Sequence, residues 1–173
     1  MIDVADIKYK AIILIYISTG KRRSAIPWLK LADIKKMGTN SNDNDSKEIY
    51  MFRIYSRTTE QHYTFCTPEF FNAISTYLDY RKRCGEQLLP ESPLFRKDFD
   101  ERMSVDVTNA KPISSNTIAD KIRAISIAAG VTVPVPLSEG NPTGRRRNQA
   151  SLIHGFRRFA ITNMAKSRNI DPT

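Results

Sequence analysis

Residues 18–34, STGKRRSAIPWLKLADI, join two unlike halves. Behind them runs a stretch, residues 3–18, whose second half is apolar nearly all round, the pattern of a helix buried through the middle of a domain. Gly20 ends it, glycine being the residue that most readily adopts the left-handed turn at a helix stop. Three consecutive cations follow, Lys21, Arg22 and Arg23, so a positive cluster stands at the end of a buried helix. Pro27 and Trp28 then forbid a long helix, and LKLADI (29–34) alternates well enough to be a strand.

Moving outward, MGTNSNDNDSKE (37–48) reads as a surface loop. IYMFRIYS (49–56) and QHYTFCT (61–67) are rich in Tyr, Phe and Ile, with no apolar side chain between them, and predict a β-hairpin. With LKLADI they make a small three-stranded antiparallel sheet. TPEFFNAISTYLDYRKRCGE (67–86) predicts a helix with Thr67 as N-cap, Pro68 at its first position and Gly85 as its stop. Phe70, Ile74, Tyr77 and Leu78 form its inner face. Residues 87–112 read mostly as loop, SSNTIADKIRAISIAAG (114–130) as a capped helix ending at Gly130, and residues 131–151 as an exposed basic connection carrying Arg145, Arg146 and Arg147.

The closing stretch, SLIHGFRRFAITNMAKS (151–167), predicts a last helix. At about 100° per residue, Leu152, Ile153, Phe156, Phe159, Ala160 and Met164 gather on one side. His154 and Arg158 point almost oppositely, and Arg157 falls at the border. A guanidinium fork beside an imidazole suits a phosphate held at two oxygens. Taken alone, the same residues read more readily as the solvated side of a basic helix, since short motifs often match by chance.

The chain has 173 residues, 40% of them hydrophobic and 26% charged, which fits one soluble globular domain. Its 27 Lys and Arg against 18 Asp and Glu leave a net charge of +9, which points to a polyanionic partner or to a merely soluble basic protein. Cys66 and Cys84 form no CxxC pair and lie far from His154, so neither a zinc site nor a disulfide framework follows. Neither a membrane-spanning run nor a signal peptide is read, and the expected location is cytoplasmic, on the nucleoid.

Around STGKRRSAIPWLKLADI the sequence resembles the tyrosine recombinase (phage integrase) family, whose catalytic domains carry Thr-Gly-x-Arg at the end of such a helix. The family's continuation aligns without a gap through Ser24, Leu29, Lys30, Asp33 and Ile34, and Ala25 stands where the pattern most often has Glu. HGFRRF matches the family's His-x-x-Arg box, in wording similar to archaeal integrases. The resemblance covers essentially the whole chain. It implies a mainly α fold with a small three-stranded antiparallel sheet (α+β), that of a DNA breaking-rejoining catalytic domain, over residues 1–173.

By resemblance, Arg22, His154 and Arg157 are the catalytic residues: the arginines clamp the non-bridging oxygens of a DNA phosphate, and the histidine hydrogen-bonds it or assists proton transfer. Lys21, Arg23, Lys30, Arg145, Arg146, Arg147 and Arg158 are candidate contacts to the DNA backbone. For the triple arginine a solvated surface reads equally well. The family places a lysine on the hairpin turn; here the only cation is Arg57, a poor proton donor because it stays protonated, with Lys47 more distant. The family's tyrosine nucleophile follows the box, but all seven tyrosines of this sequence precede it.

The expectation is therefore a partial catalytic domain of a site-specific recombinase, itself inactive, without the usual N-terminal DNA-clamping domain and C-terminal tyrosine segment. Double-stranded DNA and further protomers are the expected partners, and no metal or cofactor is implied. The intact protein would act by transesterification through a 3′-phosphotyrosine. The rival reading is a DNA-binding module of the same fold that has lost catalysis and serves regulation or an accessory role.

Overall fold

The computed structural model describes residues 1–37, 49–56, 58–131 and 152–166. Helix α1 (Ile7–Thr19) starts where the Asp6 carboxylate accepts the Tyr9 backbone N–H at 2.9 Å, and ends at Gly20 with φ +60°. Ala11, Ile12, Ile13, Ile15 and Tyr16 are all buried, so the helix presents apolar surface in every direction. It runs through the centre of the domain, packed against α2 (Pro68–Arg83), α4 (Ser115–Ala128), α5 (Leu152–Lys166) and the last strand of the sheet.

The sheet has three antiparallel strands in the order β1 (Ile34–Met37), β2 (Ile49–Ile54), β3 (His62–Phe65). Phe52 and Ile54 face the core, while Tyr63 and Phe65 on the other face stay about half exposed. Register pairs Phe52 with Thr64 and Ile54 with His62, which sets His62 on the inward side at the hairpin end. Aromatic contacts lock the hairpin onto α2: Tyr50 stacks on Phe71 with centroids 4.9 Å apart, and Phe52 meets Phe70 edge-on at 5.3 Å.

LKLADI is not the strand that its alternation suggests. Leu29 and Leu31 pair instead with the segment around residue 93: Leu94 N–H reaches Leu29 O at 2.8 Å and Leu31 N–H reaches Ser92 O at 3.0 Å. The chain then tightens into a short 3-10 turn, Leu31–Asp33, because the buried Asp33 carboxylate accepts the Lys30 backbone N–H at 3.0 Å. The strand comes only afterwards, in IKKM. Arg53 of β2 holds the same carboxylate at 3.0 Å, tying this turn to the sheet.

Helix α2 has Pro68 at its start and Gly85, φ +90°, beyond its end, but Thr67 makes no side-chain cap bond. Phe70, Ile74 and Tyr77 are buried on it as expected, and so is Arg81. Arg81 and Arg96 both grip Glu86, with Arg81 Nε 3.0 Å and Arg96 Nη1 2.6 Å from Oε2. Arg81 Nη1 also donates to the carbonyls of Pro93 (2.9 Å) and Leu94 (3.0 Å), and Arg96 to that of Val107 at 2.9 Å. The stretch 87–112, read as loop, thus hangs on a buried charged network and contains one short helix, α3 (Ser104–Thr108).

Burial alone would push the Glu86 carboxyl up. Hydrogen bonds and charge from the two guanidiniums together outweigh it and leave the group below the usual carboxylate range. Removing the carboxylate strands two buried cations, so Glu86→Ala is expected to cost about 3–5 kcal/mol, seen as a lower urea midpoint at unchanged slope. A group with a depressed folded pKa stabilises above its unfolded value of about 4.3 and loses that contribution as pH falls through the folded one. The gap between wild type and variant should therefore close in acid.

Candidate functional site

The two sequence boxes meet where α1 ends. Gly20 N–H caps Tyr16 O at 3.0 Å, and the left-handed turn sends Lys21, Arg22 and Arg23 away from the core. The segment is then pinned twice. Tyr16 Oη donates to Arg23 O at 3.0 Å, and Ala25 N–H closes a 3-10 turn (Arg23–Ala25) on Arg22 O at 3.0 Å. Ala25, where the recombinase pattern has Glu, is a buried apolar member of the core.

Helix α5 crosses this corner closely. A Cβ on Gly20 would lie 3.1 Å from Ala160 Cβ, tighter than an ordinary contact, so crowding adds to the strain that its φ of +60° would impose on any side chain. Arg157 Nη1 donates to Gly20 O at 3.1 Å, which orients its guanidinium along the end of α1. Lys21, Arg22, Arg23, Ile153, His154 and Arg157 line one open cleft of about 440 Å³. Arg22, Arg23 and His154 are exposed in it, and Arg157 is half-buried.

Lys21 was read from the sequence as a backbone contact, but it has a more specific setting. Its Nζ lies 2.8 Å from His62 Nε2, and His62 Nδ1 lies 2.8 Å from Glu60 O. The carbonyl requires a proton on Nδ1, which leaves Nε2 as the acceptor for the lysine. Burial first, and then the charge of Arg157, hold the Lys21 ammonium below the ordinary lysine value. His62 is the site residue that sequence reasoning missed. Its inward register opposite Ile54 is the signal that would have found it.

Other expected contacts fall elsewhere. Lys30 is paired with Glu91 at 2.5 Å and borders a second cleft with Trp28, Asp33 and Arg53. Arg158 is exposed on α5 and does not line the cationic cleft. Of the apolar residues assigned to the inner face of α5, Ile153 and Ala160 are buried, while Phe159 (55% exposed) and Met164 (42%) face outward. Arg57, Lys47, Arg145, Arg146 and Arg147 lie outside the described residues. No tyrosine lines the cleft; Tyr9, Tyr16 and Tyr77 are buried in the core.

Among the described residues, no group of three or more His, Cys, Asp or Glu side chains could hold a metal ion, and no helix is long and apolar enough to cross a membrane. No family model and no curated protein sequence matches this chain. Two solved structures do share its architecture: the XerH site-specific recombinase bound to its difH substrate before cleavage, and the same recombinase on a palindromic difH substrate after cleavage. The chain has the fold of a tyrosine recombinase domain. Each superposition covers 98% of this chain with a TM-score of 0.60 at 15% identity. This chain spans about two-fifths of the length of those recombinases, 40% and 39%.

The geometry of the corner gives a direct test. Gly20→Ala places a Cβ at positive φ and against Ala160, and should lower stability by at least about 1–2 kcal/mol. Thermal unfolding measures the loss.

Proposed function

We propose that the cleft holds a DNA phosphodiester and that the chain is a large part of the catalytic domain of a site-specific recombinase. The observation that carries this reading is the convergence of Arg22 with His154 and Arg157, from opposite ends of the sequence, in one cleft. Two guanidiniums present fixed forks of N–H donors suited to the non-bridging oxygens, and they neutralise the charge that builds on phosphorus as a fifth oxygen approaches. His154, exposed beside them, hydrogen-bonds the phosphate or takes a proton from the attacking hydroxyl. That hydroxyl belongs to the phenol of a tyrosine; none of the cleft's lining residues supplies it.

Arg23, within the cleft's lining, adds positive charge for a neighbouring phosphate, and Arg158, exposed on the helix that carries Arg157, is a further contact to the DNA backbone; neither chooses sequence. DNA integration and recombination, with further protomers assembled on the same DNA, are the setting this chemistry serves. The other reading, a binding module of the same fold, is favoured by the absence of a phenol at the cleft. It does not account for two arginines and a histidine gathered in one open cleft.

A strand carrying a 3′-(4-nitrophenyl phosphate) separates the two readings without any tyrosine, because nitrophenolate stands in for the departing phenolate. Annealed beside a strand with a free 5′-hydroxyl, it should be joined by this chain with release of nitrophenolate. Arg22→Ala and Arg157→Ala should each slow joining by about 10²–10³-fold. A binding module would hold the duplex and join nothing. Binding itself should weaken steeply with salt, and each arginine removed should reduce the slope of log K against log salt by about 1.

A further inference from the structure

Breaking the bond between phosphorus and the 5′ oxygen of DNA leaves an alkoxide, which is a poor leaving group unless it is protonated as the bond breaks. Arginine cannot supply that proton, since its guanidinium stays charged at any pH at which a protein works. Among the described residues, the cations that line the cleft are three arginines and one lysine. We propose that Lys21, held in place from the hairpin by His62, exchanges the proton with the 5′ oxygen.

Three observations bear on this, and the inference rests on the phosphodiester reading of the cleft. Lys21 lines the same space as Arg22, His154 and Arg157. Its Nζ is fixed at 2.8 Å from His62 Nε2, so one of its three protons is committed and the other two remain to donate. The groups facing it are Arg157 and His154 on α5, His62 on β3, and Arg22 and Arg23 on its own segment. Every charged group in that set is positive, and none is a carboxylate that would hold the ammonium protonated. Burial and Arg157 accordingly lower its pKa.

The step balances as follows. A phenolic hydroxyl attacks phosphorus and passes its proton to His154; the bond from phosphorus to O5′ breaks with its electron pair on oxygen, and Lys21 Nζ gives O5′ a proton. In the joining direction the 5′-hydroxyl attacks, neutral Lys21 takes its proton, and the phenolate leaves. His62 is a positioning residue, acting on the reaction only through Lys21.

The nitrophenyl joining reaction reads Lys21 directly, since it runs in the direction where the lysine is a base. Lys21→Arg keeps the charge and should bind duplex DNA as wild type does, yet join a 5′-hydroxyl strand about 100-fold more slowly. A 5′-thiol acceptor is ionised at mildly alkaline pH and needs no base, so with it the variant should recover to within a few-fold of wild type. Lys21→Met should show the same selective rescue. Joining of the 5′-hydroxyl at the wild-type rate by either variant overturns the proposal, and so does an equal defect with both acceptors. If the wild type joins neither acceptor, the phosphodiester reading itself fails and this inference with it.

Discussion

The close approach of α5 to the end of α1 at Gly20 is the contact on which the rest of the site depends. Glycine takes the left-handed turn without strain and leaves room for Ala160, which a Cβ at this position would crowd at 3.1 Å. That approach brings Arg157 to the Gly20 carbonyl, one of the acceptors a helix leaves unsatisfied at its carboxyl end. The same end carries the negative pole of the helix dipole. Lys21, Arg22 and Arg157 thus gather where backbone dipoles offset part of their mutual repulsion, which explains how a cationic cleft stands open with no acidic side chain in its lining among the described residues.

Much of this architecture is legible in the sequence because its elements announce themselves locally. The run Ala11–Ile17 has no polar face, and it becomes the central helix; the aromatic strands around residues 57–60 become the hairpin; Gly20, Pro68 and Gly130 mark helix ends as expected. What was not legible depends on partners distant in the chain. LKLADI alternates like a strand, yet Leu29 and Leu31 only bond across to residues 92–94, and Asp33 bends the segment into a 3-10 turn for its own capping bond. The actual strand, IKKM, has little apolar signal to find. Arg81, Glu86 and Arg96 look like solvated charges until their mutual neutralisation is seen.

The candidate site divides along the same line. Arg22, His154 and Arg157 could be picked out because each sits in a short stretch that resembles a recombinase box. His62 could not, since a lone histidine on a strand carries no signal until the register puts it inward and the end of α1 is brought to it. Its contribution is to set the donor pattern of a neighbour, and such a role is written in geometry between elements. The outward Phe159 and Met164 make the complementary point: an apolar stripe reports a helix, and which part of the stripe the domain covers is decided by the packing angle.

The buried network of Arg81, Glu86 and Arg96 has a consequence for how the domain comes together. Stripping water from three charges is costly, and the cost is offset only when all the partners are present at once: the end of α2, the carbonyls at 93 and 94, and the segment reaching Val107. A half-formed version, with one arginine seated and the other absent, is worse than none. The segment around residue 93, which also braces Leu29 and Leu31 just after the cationic cleft, is therefore expected to dock as one unit rather than bond by bond. Charge burial here sets a threshold for docking this part of the fold.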